Sequence, residues 1–124
     1  IVDPLDGTNN FIHATPYFCI SIALEKEIKP GLREVIAGVI YDPIHNELFT
    51  AEKGKGEFMN DARITVARRD KIDDAMLVTS NPRFTPDPAK AFAIMQRACM
   101  GASCLRYTGS SALDLAYTAA GRYD

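Results

Sequence analysis

Residues 17–41 read YFCISIALEKEIKPGLREVIAGVIY and decide the fold. Apolar side chains at Phe18, Ile20, Ile22 and Leu24 alternate with small or polar ones, and this period of two predicts a β-strand over residues 17–27. Lys-Pro-Gly at positions 29–31 predicts the turn of a hairpin. Residues 35–41 are apolar at successive positions, which predicts a central strand covered on both faces. The chain is therefore expected to build an antiparallel sheet around this hairpin.

Strand and turn signals continue downstream of the hairpin. Residues 47–51 predict the next strand, and turn formers at 54–56 and 60–61 predict a further hairpin, which together give an antiparallel meander. Two more short strands are predicted over residues 76–79 and 103–107. Strands followed by helices, rather than strict alternation, indicate the α+β class or a layered sandwich.

Two helices are predicted in the last third of the chain. Phe92, Met95 and Cys99 recur at i, i+3 and i+7, which predicts a helix with these residues on its buried face. A second helix opens at residues 109–111, and Ser111 with Asp114 predicts a variant of the capping box. The expected buried face of this helix consists of Ala112, Leu115, Ala116 and Ala119. Gly121 is expected to end the helix.

The composition indicates a globular protein of one domain. Of 124 residues, 47% are hydrophobic and 24% are charged, and the net charge is -2. Without a basic patch or a long apolar segment, nucleic acid and membranes are not expected partners. The odd count of three cysteines argues against a disulfide framework, so a cytoplasmic location is expected.

The segment from Asp3 to Thr8, DPLDGT, carries the chemistry. It places two carboxylates three residues apart around a bend stiffened by Pro4, and the Leu5 carbonyl between them offers a third oxygen. Such oxygen ligands select Mg²⁺, Mn²⁺ or Ca²⁺ over zinc. The alternative is a β-turn in which Asp3 and Asp6 only accept backbone hydrogen bonds.

Two known motifs share part of this segment. An EF-hand loop that begins at Asp3 needs an oxygen side chain where Leu5 stands and a glutamate where Ala14 stands, so that interpretation fails. Haloacid dehalogenase-like phosphatases carry Asp-x-Asp-Gly-Thr with a nucleophilic first aspartate. Because the spacing here is three residues rather than two, that class, with Asp3 as nucleophile, is the alternative.

The chain resembles the inositol monophosphatase family, and especially its bacterial inositol-1-monophosphatases. The similarity is carried by IVDPLDGTNNFIHA at residues 1–14, SIAL at 21–24, VIYDP at 39–43, NELF at 46–49 and RYTGSSALDLA at 106–116. It implies the layered α/β sandwich shared with fructose-1,6-bisphosphatase. It also implies that Asp3, Leu5 and Asp6 bind Mg²⁺. The residues implied to act on the substrate are Asp6, Gly7 and Thr8, with Asp6 and Thr8 catalytic, and Gly109, Ser110 and Ser111 at the start of the second helix.

The resemblance further implies Mg²⁺-dependent hydrolysis of a phosphate monoester by metal-activated water, with myo-inositol 1-phosphate as substrate and inositol and phosphate as products. The complete protein would be a homodimer. A contrasting hypothesis is a non-catalytic module that binds sugar phosphates.

Two acidic segments of the family are absent from the sequence, one before the Asp3 motif and one, a Trp-Asp motif, towards the C-terminus. The chain begins with its reactive motif, so we expect residues 1–124 to be the central fragment of a single phosphatase domain, incomplete at both ends. The fragment alone is expected to be inactive.

Overall fold

The computed structural model describes residues 1–81 and 85–124. The expected α+β class is confirmed, because a six-stranded sheet and a two-stranded sheet are combined with three α-helices within these residues. Along the chain the elements are β1 (Val2–Asp6), α1 (Thr8–Ile12), β2 (Cys19–Lys29), β3 (Leu32–Asp42), β4 (Glu47–Glu52), β5 (Gly56–Met59), β6 (Ala62–Arg63), a 3₁₀ turn (Ile72–Asp74), β7 (Met76–Thr79), α2 (Pro88–Gly101), β8 (Cys104–Tyr107) and α3 (Ser111–Ala119).

The larger sheet is the predicted antiparallel meander. Its strands lie in chain order from β1 to β6, and each pairs antiparallel with the next. The hairpin between β2 and β3 turns at Pro30 and Gly31, as the sequence predicts. Gly31 adopts a φ of 77°, a backbone conformation that glycine reaches without steric cost.

A second, smaller sheet forms from β7 and β8, which pair in parallel with α2 as their connection. Parallel neighbours need such a crossover, and a helix usually supplies it. Asp87 begins α2 by accepting a hydrogen bond from the Lys90 backbone amide at 3.0 Å. The carboxylate thereby satisfies one of the free N–H groups at the helix start.

The core lies where α3 packs on the larger sheet. Buried side chains from β2, β4 and α3 form one cluster: Cys19, Phe49, Leu113, Ala116 and Tyr117. Gly121, with a φ of 73°, follows α3 and ends it as the sequence predicts.

The predicted buried faces of both helices are partly wrong. Leu115 is 69% exposed, whereas Leu113 and Tyr117 are buried. On α2, Phe92 is 50% exposed and Cys99 is exposed as well. Instead, Ala91, Ile94, Met95 and Ala98 line a cavity on the side that faces β7 and β8. Apolar spacing fits more than one face of a helix, and packing selects among them.

The expectation for β3 is also only half confirmed. It lies between β2 and β4, as a central strand should. However, Val35 is 52% exposed, and the Ile20, Ile22 and Leu24 face of β2 is between 38% and 58% exposed. In the described residues, α3 covers the opposite face of the sheet, which carries Cys19. None of the described helices has the length and apolar character needed to cross a membrane.

Candidate active site

Residues 3–6 of the DPLDGT motif lie in β1 and Thr8 begins α1, so the predicted bend around Pro4 is part of a strand. Asp3 lies opposite Ser21 and Asp6 lies opposite Cys19, so three steps along β1 match two steps along β2. This is a β-bulge with one extra residue at Pro4 and Leu5.

The bulge decides where the two carboxylates lie. Residues three apart on a regular strand project to opposite faces. Here Ser21 and Cys19 are two apart and share a face of β2, so their partners Asp3 and Asp6 share that face as well. It is the face on which α3 packs, because Cys19 belongs to the core cluster formed with that helix.

Hydrogen bonds within the motif orient its oxygen atoms. The Leu5 amide donates to Asp3 Oδ1 at 3.1 Å. The hydroxyl of Thr8 donates to the Leu5 carbonyl at 2.8 Å. The proton of Thr8 is therefore occupied, while the lone pairs of its oxygen remain able to accept a hydrogen bond.

Gly7 follows β1 at a position where a residue with a side chain does not fit. Its φ is 90°, and a Cβ there would lie 3.0 Å from the Tyr17 carbonyl oxygen and 3.1 Å from Phe18. A side chain at this position would meet both backbone strain and a steric clash. Glycine is thus required for β1 to turn directly into α1.

Asp6 connects the motif to the start of α3. Its Oδ2 accepts hydrogen bonds from the Ser110 hydroxyl at 2.7 Å and from the Ala112 amide at 2.8 Å. The Cys19 thiol lies 3.9 Å from the same oxygen. Hydrogen bonds to a carboxylate are stronger than hydrogen bonds between neutral groups, so they hold the Asp6 side chain in one orientation. The partner Ser110 lies 104 residues away in sequence.

Burial affects the protonation of two groups beside Asp6. It raises the pKa of Cys19 to about 11; the hydrogen bond with Ser110 opposes this shift and the charge of Asp6 adds to it. Burial also raises the pKa of Asp114, although hydrogen bonds from Thr108 and Tyr17 act in the opposite direction. The Cys19 thiol is consequently protonated at neutral pH and is not a nucleophile.

The structure separates the three residues predicted to contact substrate at the start of α3. Ser110 is 1% exposed and its hydroxyl faces Asp6, whereas Gly109 and Ser111 are exposed. Ser110 is also the N-cap, and no side-chain hydrogen bond caps α3, so the predicted capping box is wrong. Asp114 instead accepts hydrogen bonds from Tyr17 at 2.7 Å and Thr108 at 2.5 Å.

Several residues at this junction were not predicted from the sequence to belong to the site. They are Asn10, Tyr17, Cys19, Thr108 and Asp114, whose partners lie between 6 and 98 residues away. Asn10 and Thr108 stand inside the stretches that resemble the family, and that is the only sequence signal that singles them out.

The described oxygen donors suit a hard divalent cation but do not complete a site for one. Asp3, Asp6 and the Leu5 carbonyl offer oxygen only, the donor type that Mg²⁺ prefers. Across residues 1–81 and 85–124, no group of three His, Cys, Asp or Glu side chains could hold a metal ion. These donors are therefore part of a metal site at most.

The model of the inositol monophosphatase family matches residues 1–124, so the chain belongs to that family. It is 47% identical to the inositol-1-monophosphatase of Mesorhizobium japonicum, covering 100% of the chain and 45% of that protein.

Two further matches carry a different name. The Nus factor SuhB of Xylella fastidiosa is 41% identical over 100% of the chain and 44% of its own length. The crystal structure of the extragenic suppressor protein suhB from Bartonella henselae superposes with a TM-score of 0.90 at 47% identity. The match covers 100% of the present chain and 46% of the suhB chain. The chain spans about half the length of the relatives it matches.

Proposed function

We propose that this chain is the central part of a single Mg²⁺-dependent phosphatase domain, and that the complete protein hydrolyses myo-inositol 1-phosphate to inositol and phosphate. One observation carries the proposal. The bulge in β1 brings Asp3 and Asp6 to the same face of the sheet, beside the start of α3, in a chain that matches a phosphatase family over its whole length. That match gives no support to the alternative with Asp3 as a nucleophile.

The residues present would hold one side of the metal site. Asp3 and Asp6 each use one oxygen in a described hydrogen bond, which leaves the other oxygen of each carboxylate for a cation, and the Leu5 carbonyl has a second lone pair. When bound, Mg²⁺ supplies a Lewis acid for the phosphate oxygens and lowers the pKa of a coordinated water. The proposed reaction uses two divalent ions, and two carboxylates balance the charge of only one of them, so the proposal requires further acidic ligands from other parts of the complete protein.

The remaining residues of the site would orient the reactants. The Thr8 hydroxyl donates its hydrogen bond to the Leu5 carbonyl, so the Thr8 oxygen would accept a hydrogen bond from the attacking water and fix the direction of approach. The amides of Gly7 and Thr8 would meet the phosphate. Exposed Gly109 and Ser111 would face the hydroxyl-bearing part of the substrate, and Ser110 would act through Asp6.

Catalysis is preferred to a non-catalytic sugar-phosphate module because Asp3, Asp6 and Thr8, the residues that the proposed reaction would use, are all present in the sequence. The relatives named inositol-1-monophosphatase and those named Nus factor SuhB have similar identity to this chain, so identity does not separate the two. A cytoplasmic homodimer without nucleic acid remains the associated prediction.

The decisive experiment is Asp6→Asn in the complete protein. The change keeps the shape but removes a charge opposite a divalent cation, and we expect turnover of myo-inositol 1-phosphate to fall by roughly 100-fold or more. The exposed Asp70 gives the matched control, Asp70→Asn, which should retain activity. Near-normal turnover of Asp6→Asn at millimolar Mg²⁺ would refute the metal assignment, and hydrolysis that needs no divalent ion would refute the reaction class.

A further inference from the structure

Asn10 links two segments that are remote in sequence. Its side-chain amide nitrogen donates to the Tyr17 carbonyl at 2.6 Å and to the Thr108 carbonyl at 2.8 Å. An amide nitrogen carries two hydrogens, so both are used. The second bond spans 98 residues and joins α1 to the loop before α3.

The loop that Asn10 holds contains Gly109. A Cβ at Gly109 would lie 3.0 Å from the side-chain oxygen and nitrogen of Asn10, and the residue has a φ of 92°. The backbone of Gly109 therefore lies directly against the Asn10 amide. On the other side, Ser110 is fixed by its hydrogen bond to Asp6. Gly109 is thus held between two cross-links, one on each neighbouring residue.

The first motif is packed against the same amide. The Tyr17 carbonyl that accepts from Asn10 is also the atom that a Cβ at Gly7 would approach to 3.0 Å. Asn10 and Thr8 share the five-residue helix α1. The Asn10 side chain is therefore located where the DPLDGT motif, the segment before β2 and the start of α3 meet.

We propose that Asn10 is a positioning residue for the hydroxyl-bearing part of the substrate. By holding the Thr108 carbonyl, it sets the direction in which the backbone enters α3 and in which exposed Gly109 and Ser111 are presented. Asn10 does not itself contact the substrate. The inference rests on the proposed function and deepens it, because it divides recognition of the alcohol from recognition of the phosphate.

That division follows from what holds each part. Asp3 and Thr8 are oriented by the Leu5 amide and carbonyl, and Asp6 is oriented by Ser110 and Ala112. None of these bonds involves Asn10. Loss of the Asn10 amide should therefore weaken binding of the alcohol while the phosphate and Mg²⁺ are bound as before.

The test compares Asn10→Ala with Asn9→Ala in the complete protein. Asn9 is the exposed neighbour on the same helix, so Asn9→Ala controls for helix propensity. We expect Asn10→Ala to raise the KM for myo-inositol 1-phosphate about tenfold, because the two hydrogen bonds that hold the Tyr17 and Thr108 carbonyls are lost. We expect kcat to change less than twofold and the inhibition constant of inorganic phosphate and the Mg²⁺ affinity to stay constant.

Hydrogen exchange gives a readout that does not depend on activity. In Asn10→Ala, the amides of residues 109–111 should exchange faster than in the wild type, while the Ala112 amide, which donates to Asp6, and those of β3 and β4 should not change. Asn10→Asp keeps the shape but turns two donors into acceptors opposite two carbonyls, so its KM should rise more than that of Asn10→Ala.

Three results would overturn the proposal. The first is an unchanged KM in Asn10→Ala. The second is a parallel loss of phosphate inhibition and Mg²⁺ affinity, which would indicate general damage to the site. The third is failure of both Asn10 variants to fold, by circular dichroism, which would make the amide a requirement of the fold. If instead the wild-type protein hydrolyses no phosphate monoester, the proposed function fails, and the exchange of residues 109–111 still decides whether Asn10 orders this loop.

Discussion

The buried Asp42 offers a prediction whose size follows from the structure. Its carboxylate is fully buried, and Oδ2 accepts hydrogen bonds from the Tyr117 hydroxyl at 2.9 Å and from His45 Nδ1 at 2.8 Å. The backbone amides of Ile44 and His45 donate to Oδ1. Tyr117→Phe removes one of these donors and leaves the ring, which is 8% exposed, in place among the core aromatic residues.

The expected loss is that of one hydrogen bond to a buried charge. Such bonds contribute about 1.5–3 kcal/mol, and the ring contacts with Tyr17, Phe49 and Arg122 are retained by phenylalanine. A loss of about 2 kcal/mol corresponds to a change of about 30-fold in the unfolding equilibrium constant. Urea unfolding of the complete protein, followed by circular dichroism, measures it.

The effect should depend on pH. Burial alone would raise the pKa of Asp42, but the hydrogen bonds from His45, Tyr117 and the backbone outweigh it and lower the pKa below 3.8. A lowered folded-state pKa stabilises the protein above the unfolded-state value, and that contribution disappears as the pH falls through the folded-state value. The difference between wild type and Tyr117→Phe should thus be full at neutral pH and shrink below about pH 4.

Tyr107→Phe is the matched control, because Tyr107 is 55% exposed. It should change the free energy of unfolding by less than about 0.5 kcal/mol. A Tyr117→Phe variant as stable as the wild type at neutral pH would refute the reasoning, and so would a destabilisation of equal size at pH 3 and pH 7.

Three further outcomes are expected. Thr8→Val removes the hydroxyl with little change in shape, so it should lower kcat by about 10- to 100-fold while a Mg²⁺ titration shows unchanged affinity; an equal loss of both would exclude the water-positioning role. Ser111→Leu, at the exposed start of α3, should raise the KM for several sugar and inositol phosphates without altering Mg²⁺ dependence, and unchanged kinetics would remove Ser111 from the site. The 124-residue chain alone, purified in parallel with the complete protein, should show at most weak Mg²⁺ binding by calorimetry and no measurable phosphatase activity. A rate of hydrolysis near that of the complete protein would refute the two-metal mechanism.

Local pattern was sufficient to predict the central hairpin of the larger sheet. The alternation over residues 17–27, the Pro-Gly turn and the run at 35–41 each follow from the neighbouring residues, and β2 and β3 form where they were predicted, with ends that differ by one to three residues. Strand periodicity and turn geometry act within a few residues, so they can be read directly from the sequence.

The buried helix faces could not be predicted in the same way. On α3, the predicted stripe with Leu115 and the observed one with Leu113 and Tyr117 are rotated by only a fraction of a turn. The choice depends on what the sheet presents, here Phe49 on β4 and Tyr17 before β2. These partners lie more than 60 residues away in sequence, so periodicity within the helix has no information about them.

The motif shows a third case, in which the residues were identified but their arrangement was not. Two aspartates three apart suggest a shared ligand through a turn, whereas the structure brings Asp3 and Asp6 together through a bulge in a paired strand. Pairing requires β2, and neither spacing nor composition of residues 3–8 specifies it. The bulge is therefore a tertiary feature of a local motif.

The same contacts explain why the site couples two distant segments through Asp6. One of its oxygens is held by Ser110 and Ala112, so any ion bound through the other oxygen is fixed relative to the start of α3. A change at Ser110 or Ala112 would consequently alter the proposed metal site through Asp6, and a change in Asp6 would alter the positions of Ser110 and Ala112. Asn10 forms a second link to this start that bypasses the carboxylate. With two independent links, the proposed alcohol-facing loop at Gly109 and Ser111 can be altered while the second oxygen of Asp6, which the proposal assigns to the metal ion, stays in place.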